Sequence, residues 1–222
     1  MNIAILVYGR LNTCIKNYNN TIDIFDKNHN YDFFLASDNS DEILLNNFIK
    51  LYNPKVYLND KIVYTNSIIK NKYKFQSDDD NHKLTCQYIN KKRVFELLEE
   101  YIKKTNTKYD IIMSLRLDLN FFEKLKFHNI ENNTIYIPKV FRNSTRKYYL
   151  GEITDQIAYG TFEVMEKYMK LYDNLLYLQE NYNCPAHPET LTFANLIFHK
   201  IYIVKIDLDY ELDVLRHYIF YN

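Results

Sequence analysis

The segment from Tyr109 to Phe122 places two charged side chains, Arg116 and Asp118, directly after an apolar run. Four of the five residues from position 111 to 115 are apolar, which is typical of a β-strand covered on both faces by helices. In open α/β sheets, ligands bind beyond the carboxyl ends of the strands. The segment therefore predicts that Arg116 and Asp118 contact a ligand. The alternative is a salt bridge that only closes the strand end.

Polar groups also follow the first two apolar stretches of the chain. They are Tyr8, Gly9 and Arg10 after the first stretch, and Ser37 and Asp38 after the second. A glycine at a strand end lets the backbone approach a ligand closely. The alternative for this first tripeptide is a plain turn from strand to helix. The second polar end stands in the same place relative to its strand as Arg116 and Asp118 do to theirs.

Two other charged segments could either bind a ligand or be solvated surface. Asp78, Asp79 and Asp80 fit the DxD pattern of metal-binding loops, but no apolar strand precedes them, so the pattern favours a solvated turn. A basic, aromatic loop from Lys139 to Tyr149 could contact phosphate or an acceptor sugar, and solvated surface is the alternative. Its cations are Arg142, Arg146 and Lys147.

Composition limits the classes of protein. A chain of 222 residues, 47% of them hydrophobic, is long enough for one sizeable core, so we expect a single domain over residues 1–222. The 28 basic and 28 acidic residues balance, which disfavours a nucleic acid or an anionic membrane as the main partner. Three widely spaced cysteines indicate neither a disulfide framework nor a zinc site. They favour a reducing compartment, the cytoplasm, which for a viral protein is that of the host.

The order of apolar and helical patterns predicts an α/β fold. The first apolar run, Ile3 to Val7, is too short for a signal peptide or a membrane helix. Helical spacing of apolar residues is strongest between Lys83 and Lys104. Residues 60–82 have no clear period and predict a long loop. Further helices are predicted at 13–26, 41–52, 161–179 and after 189, and further strands at 31–36, 55–58, 134–137, 155–160 and 202–206.

The order of these motifs resembles a family of small glycosyltransferases of the GT-A fold. That family includes viral and bacterial polysaccharide and lipopolysaccharide enzymes, and the first glycosyltransferase domain of a chlorella-virus protein. The matching segments are IAILVYGRLNT, YDFFLASDNSDE, CQYINKKRVFELLEEY before YDIIMSLRLDLNF, DQIAYGTFEVMEKYMKLY and HPETLTFANL. Together they span nearly the whole chain. The resemblance implies a single GT-A-like domain with a mixed, mostly parallel central sheet flanked by helices.

In GT-A enzymes, a DxD after an apolar strand usually holds a divalent cation, Mn²⁺ or Mg²⁺, on the diphosphate of the donor. Arg116, Leu117 and Asp118 stand at that place, with a cation replacing the first carboxylate. The resemblance therefore implies that Asp118 is a metal ligand and that Arg116 binds phosphate through its planar fork. His217 matches by position a C-terminal histidine that often supplies a further ligand. The alternative for His217 is an ordinary core or surface histidine.

The resemblance also implies roles for the other polar residues. It assigns the nucleotide to Tyr8, Gly9, Arg10, Ser37 and Asp38, and the donor to Gln87 and Lys91. Asp155 matches an acidic residue near the acceptor, where a carboxylate can take the proton of the acceptor hydroxyl. Glu189 is a second candidate, because the sequence HPE presents it at a helix start. There its charge could instead only favour the helix dipole.

The leading prediction is a glycosyltransferase that moves a sugar from a nucleoside-diphosphate donor, UDP-linked, to a glycan or protein acceptor with a divalent metal on the diphosphate. A sugar nucleotidyltransferase is one rival. That class usually needs a glycine-rich loop, and Gly9, Gly151 and Gly160 form none. A non-catalytic member of the fold that binds glycan or nucleotide is the other rival, and the missing first carboxylate of the DxD keeps it open.

Overall fold

The computed structural model describes residues 1–38, 40–63, 78–139 and 153–213, with the backbone alone at 78–80. The strands are β1 (Asn2–Tyr8), β2 (Asn30–Ser37), β3 (Val56–Asn59), β4 (Ile111–Leu115), β5 (Leu119–Phe121), β6 (Thr134–Pro138), β7 (Ile157–Gly160), β8 (Tyr202–Ile206) and β9 (Tyr210–Leu212). The helices are α1 (Tyr18–Asp23), α2 (Glu42–Tyr52), α3 (Asp78–Thr105), α4 (Phe162–Met169), α5 (Leu175–Tyr182) and α6 (Pro188–Phe198), with a 3₁₀ turn at Leu171–Asn174. No described helix combines the length and the apolar character that crossing a bilayer requires.

Seven strands form the main sheet in the order β3-β2-β1-β4-β7-β6-β8. Strands β3, β2, β1 and β4 run parallel to one another, so the carboxyl ends of β1, β2 and β4 lie along one edge. Strand β7 runs antiparallel to β4, and β6 and β8 are parallel to each other. The residues that precede β7 therefore lie beside the end of β4, where the Arg116 amide donates to the Gln156 carbonyl over 3.1 Å.

Helices cover both faces of the central strands, as their apolar sequences predict. Alternate residues of β1 face opposite sides: Ile5 belongs to the same apolar cluster as Phe48 of α2, and Leu6 to the cluster that contains Phe95 of α3. Strand β4 does the same with Met113 and Ile112. All of these side chains are essentially inaccessible to solvent. This burial fixes the strands, and with them the polar loops at their ends.

A second, two-stranded sheet lies next to the end of β4. Strand β5 pairs antiparallel with β9, so that Leu119 faces Leu212 and Phe121 faces Tyr210. The rings of Phe121 and Tyr210 have centroids 6.0 Å apart. The sequence analysis did not predict this pairing. Its consequence is that Asp213, which directly follows β9, lies beside Asp118 in the loop after β4.

Three predicted elements have different bounds in the structure. The loop predicted over 60–82 is wrong at its end, because α3 already begins at Asp78. The first helix is confined to Tyr18–Asp23 instead of 13–26. The helix predicted over 161–179 is interrupted after Met169 by the 3₁₀ turn at Leu171–Asn174, and α5 follows that turn. The basic loop with Arg142, Arg146 and Lys147, and the glycine at 151, lie outside the described residues.

Candidate active site

A cavity of about 660 Å³ opens at the carboxyl ends of β1, β2 and β4, against the first half of α3. Its volume is in the range of small-molecule sites, roughly 300 to 1,000 Å³. The predicted site residues that line it are Tyr8, Gly9, Arg10, Asp38, Gln87, Arg116 and Asp118. The structure thus brings together polar groups from three separate strand ends and one helix.

The loop after β1 presents a cation to this cavity. Gly9 has φ +96°, a conformation that favours glycine, and its amide donates to the Ala36 carbonyl over 3.0 Å. The loop is thereby tied to the end of β2. Arg10 is exposed and lines the cavity, and no hydrogen bond or ion pair engages it within the described part of the chain. Its guanidinium is available to an anionic ligand.

The end of β2 contributes one side chain to the cavity instead of two. Ser37 is fully buried, does not line the cavity, and donates from Oγ to Oδ1 of Asn59 over 2.5 Å. Asp38 lines the cavity, and its Oδ1 accepts a hydrogen bond from the Ile62 amide over 2.8 Å. The assignment of Ser37 to the nucleotide has no support from this geometry. Asp38 keeps a carboxylate oxygen at the cavity wall.

One face of α3 forms the wall opposite the strand ends. Gln87 was predicted to lie here, whereas Cys86 and Asn90 were not. Cys86 Sγ is 3.6 Å from His82 Nε2, and burial, with a smaller effect of Asp38, raises the pKa of the Cys86 thiol to about 11. Asn90 is 1% exposed, and its Oδ1 has no hydrogen-bond partner among the described residues. Helical spacing from Gln87 would have pointed to Asn90, three residues on.

Arg116 and Asp118 form a bidentate ion pair inside the cavity. Arg116 Nε donates to Asp118 Oδ1 over 2.9 Å, and Nη2 donates to Oδ2. Burial would lower the pKa of the guanidinium, but the charge and hydrogen bonds of Asp118 outweigh it and the pKa is raised. Arg116 is therefore a permanent cation. Both side chains stay partly exposed, at 27% and 30%, so the pair is accessible to a ligand.

Asp155 lies close to the cavity wall because β7 runs antiparallel to β4. Ile157 faces Leu115 in this pairing, so the residue two positions earlier lies beyond the end of β4. Asp155 is 2% exposed and does not line the cavity. Its Oδ1 accepts from Gln156 Nε2 over 2.8 Å, and its Oδ2 accepts from Gln87 Nε2. The carboxylate thus lies behind Gln87, which separates it from the cavity.

Lys91, predicted to contact the donor, lies beneath the cavity instead. Its side chain is fully buried, and it does not line the cavity. Its Nζ donates to the Asp155 carbonyl over 3.4 Å and to the Tyr168 hydroxyl over 3.2 Å. Burial, opposed by the charge of Asp155, lowers the pKa of Lys91 to about 8. The predicted contact between Lys91 and the donor therefore has no support from this position.

Glu189, like Asp155 and Lys91, is buried and lies away from the cavity. It lies in the first turn of α6 after Pro188, is 6% exposed, and does not line the cavity. His187 Nδ1 is 3.1 Å from Glu189 Oε2. The charge of Glu189 acts on Lys91, whose pKa it raises against the larger effect of burial. Its position at the helix start is also the one that favours the helix dipole.

The described residues do not form a metal site by themselves. Both oxygens of Asp118 accept hydrogen bonds from Arg116. Over the described ranges, no group of three or more histidine, cysteine, aspartate or glutamate side chains could hold a metal ion. His217 lies outside the described residues, as do the side chains of Asp78 and Asp80. The expectation that Asp118 and His217 bind Mn²⁺ or Mg²⁺ therefore stays a prediction.

Asp213 is an acidic cavity residue that the sequence analysis missed. It follows β9, and its amide donates to the Asp118 carbonyl over 2.8 Å. Both of its carboxylate oxygens accept from Lys16 Nζ at 2.7 Å. No local sequence pattern marks it, because only the β5–β9 pairing brings it to the cavity.

The fold is similar to that of a glycosyltransferase of known structure. The structure is similar to the crystal structure of mouse xyloside xylosyltransferase 1 in its apo form, with a TM-score of 0.51 over 93% of this chain and 86% of that chain. Sequence identity is 13%, so the similarity shows the fold alone. No protein-family model and no curated protein sequence matches the chain. The predicted fold class is confirmed, and the narrower resemblance to viral and bacterial enzymes stays a prediction.

Proposed function

We propose that the protein is a glycosyltransferase that moves a sugar from a nucleoside-diphosphate donor, UDP-linked, to a hydroxyl group of a glycan or protein. In this reaction the bond from the anomeric carbon to the diphosphate oxygen breaks, and its electrons leave with the nucleoside diphosphate. The acceptor oxygen forms the new bond to that carbon and loses its proton. The protein must therefore stabilise the negative charge that grows on the departing diphosphate.

The observation that carries the proposal is the position of Arg116. Its permanent cation lies in the cavity at the end of β4, where ligands of open α/β sheets bind. A planar guanidinium can pair with two phosphate oxygens at once. Arg10 and Lys83 add positive charge to the same cavity. Because Arg10 has no partner among the described residues, it can meet the second phosphate without giving up another contact.

The residue that takes the acceptor proton follows less directly from the geometry. Asp155 was predicted for this role, but Gln87 stands between its carboxylate and the cavity. A general base must reach the proton it abstracts, directly or through one water. The observed contacts support a positioning role, in which Asp155 holds Gln87 at the wall. Glu189 is also buried away from the cavity, so its base role stays a prediction.

The metal part of the proposal rests on the sequence resemblance alone. A divalent cation, when bound, would offset charge on the diphosphate. We expect UDP to raise the melting temperature more with Mn²⁺ than with a chelator, because a ligand that binds only the native state stabilises it. Identical shifts in the two conditions would show that UDP binds without a metal bridge.

The proposal is tested by a screen of nucleotide sugars. UDP-, GDP-, CDP- and dTDP-linked hexoses and pentoses are incubated with the protein, and release of the nucleoside diphosphate is measured. We expect release from at least one UDP-linked donor, and no release by an Asp118→Ala variant that still unfolds in a cooperative transition. Release by Asp118→Ala at the wild-type rate would show that the reaction does not depend on the Asp118 carboxylate.

A non-catalytic binding protein is the second candidate. It is favoured by the fact that each carboxylate oxygen of Asp118 and Asp155 accepts a hydrogen bond from a neighbouring side chain. In that case, a nucleotide would bind but no donor would be consumed. The same screen, run beside a thermal-shift titration with UDP, separates the two functions.

A further inference from the structure

Lys91 occupies an unusual environment beneath the cavity floor. Its ammonium nitrogen lies 4.3 Å from the ring centroid of Tyr168, 5.2 Å from that of Tyr8 and 5.9 Å from that of Tyr88. An ammonium within about 6 Å of an aromatic centroid is attracted by the ring. Three aromatic rings therefore surround this buried cation, and one of them, Tyr8, lines the cavity.

The same cation helps to fix one backbone carbonyl. The Asp155 carbonyl accepts hydrogen bonds from Tyr8 Oη over 2.9 Å, Tyr168 Oη over 3.2 Å and Lys91 Nζ over 3.4 Å. Donors from β1, α3 and α4 thus converge on a single oxygen. The Asp155 carboxylate holds Gln87 at the cavity wall. A shift of the Asp155 backbone would therefore also shift Gln87.

We infer that Lys91 is a positioning residue of the active site, a buried cation that holds the ring of Tyr8 and the segment at Asp155 in place. It acts through these two residues and touches neither donor nor acceptor. The inference rests on the proposed function for its effect on turnover. Its structural part, the ordering of the Asp155 segment, concerns the free protein and stands independently.

The charge of Lys91 depends on the groups around it. From the elements packed against it, the titratable and charged groups are Tyr8, Tyr88, Arg116, Asp155, Tyr168 and Glu189. Burial is the largest effect and lowers the pKa of Lys91 to about 8, while Asp155 and Glu189 raise it and Arg116 lowers it. Lys91 therefore loses its proton in mildly alkaline solution, well before an exposed lysine would.

The low pKa of Lys91 also has a consequence for stability. The folded protein releases this proton near pH 8, whereas the unfolded chain keeps it up to the ordinary value of 10.5. The unfolded state thus binds more protons in this window, so the contribution of Lys91 to stability rises with pH across it. At pH 7 the protonated side chain lowers stability. Lys91→Met removes that charge, and Tyr8 and Tyr168 still satisfy the Asp155 carbonyl.

The test compares Lys91→Met with Lys92→Met, the same substitution at the next residue of α3, where the side chain is partly exposed and pairs with Asp173. We expect Lys91→Met to melt at or above the wild-type temperature at pH 7. In the free protein, hydrogen exchange of residues 153–160 should become faster in Lys91→Met and stay unchanged in Lys92→Met. Tyr168→Phe, which removes a hydroxyl that contacts both Lys91 and the carbonyl, should accelerate the same segment.

Turnover gives the second readout. We expect Lys91→Met to lower kcat by roughly thirtyfold, the effect of one hydrogen bond to a charged group, with a smaller change in KM. Wild-type kcat should fall as pH rises through about 8, and this alkaline decrease in kcat should be absent from Lys91→Met. Unchanged exchange at 153–160 in both Lys91→Met and Tyr168→Phe would overturn the inference. An alkaline decrease in kcat that persists in Lys91→Met would also overturn it. A wild-type protein without turnover contradicts the proposed function instead, and the exchange data then decide the role of Lys91.

Discussion

Gln87 donates a hydrogen bond from Nε2 to Oδ2 of Asp155, and this contact separates the buried carboxylate from the cavity. The other oxygen of Asp155 accepts from Gln156 over 2.8 Å. A carboxylate with both oxygens engaged is held in one orientation. In this arrangement Asp155 fixes the position of Gln87, and Gln87 lines the cavity.

The first prediction concerns this pair. If Asp155 acts through Gln87, the variants Asp155→Asn and Gln87→Ala should lower kcat by similar factors, and the double variant should lose little more, because coupled residues are not additive. Steady-state kinetics of the four proteins measure this. Direct general-base catalysis would instead make Asp155→Asn costlier by about 100-fold or more while Gln87→Ala stays near wild type.

The fold was largely predictable because its signals are local. The apolar run at 111–115 and the helical spacing of 83–104 each lie within one element, so burial dictates their structure from sequence alone. Arg116 and Asp118 were predictable for the same reason, since they directly follow a buried strand. The rule that ligands bind at the carboxyl ends of strands also predicted Arg10 and Asp38 as site residues.

Other features depend on contacts between distant segments, which no local pattern encodes. Asp213 lines the cavity only because β9 pairs with β5. Ser37 looked like a ligand contact, but its hydroxyl is taken by Asn59 of the neighbouring strand β3. Lys91 looked like a donor contact, but its position in the helix turns it toward Tyr168 under the cavity floor. A polar side chain in a sequence does not show which neighbour will satisfy it.

The second prediction concerns Asn90, whose buried Oδ1 has no partner among the described residues. An unsatisfied buried polar group costs about 1 to 3 kcal/mol. Replacing it with an apolar side chain of similar size removes that cost. We therefore expect Asn90→Leu to raise the melting temperature by roughly 2 to 4 °C per kcal/mol gained, while weakening UDP binding, because Asn90 lines the cavity.

Asn81 provides the matched control on the same helix. It is 2% exposed, both of its amide atoms lack partners among the described residues, and it does not line the cavity. Asn81→Leu should also stabilise the protein but leave the affinity for UDP unchanged. Equal UDP affinity in Asn90→Leu and the wild type would show that Asn90 does not contact the nucleotide.

The third prediction uses the thiol of Cys86 as a probe of the cavity. Burial raises its pKa to about 11, so the thiol is protonated and reacts slowly at neutral pH. The rate of alkylation by iodoacetamide should increase about tenfold per pH unit below that pKa. Saturating UDP should slow the reaction, because Cys86 lines the cavity.

Peptide mapping by mass spectrometry separates Cys86 from Cys14 and Cys184, which are also free and buried. Neither of these lines the cavity, so UDP should not change their reactivity. A Cys86 rate that is independent of pH between 7 and 9 would contradict its raised pKa. A rate that UDP leaves unchanged would place the nucleotide elsewhere.

Binding of the donor diphosphate by Arg116 is tested most directly by calorimetric titration of UDP into the wild type, Arg116→Lys and Arg116→Met. Removing a hydrogen bond to a charged group costs about 2 kcal/mol, so Arg116→Met should weaken UDP binding roughly thirtyfold. Arg116→Lys keeps the charge but loses the planar fork, and its affinity should lie between the other two. An unchanged Kd in Arg116→Met, at an unchanged melting temperature, would contradict the assignment of the diphosphate to this cavity.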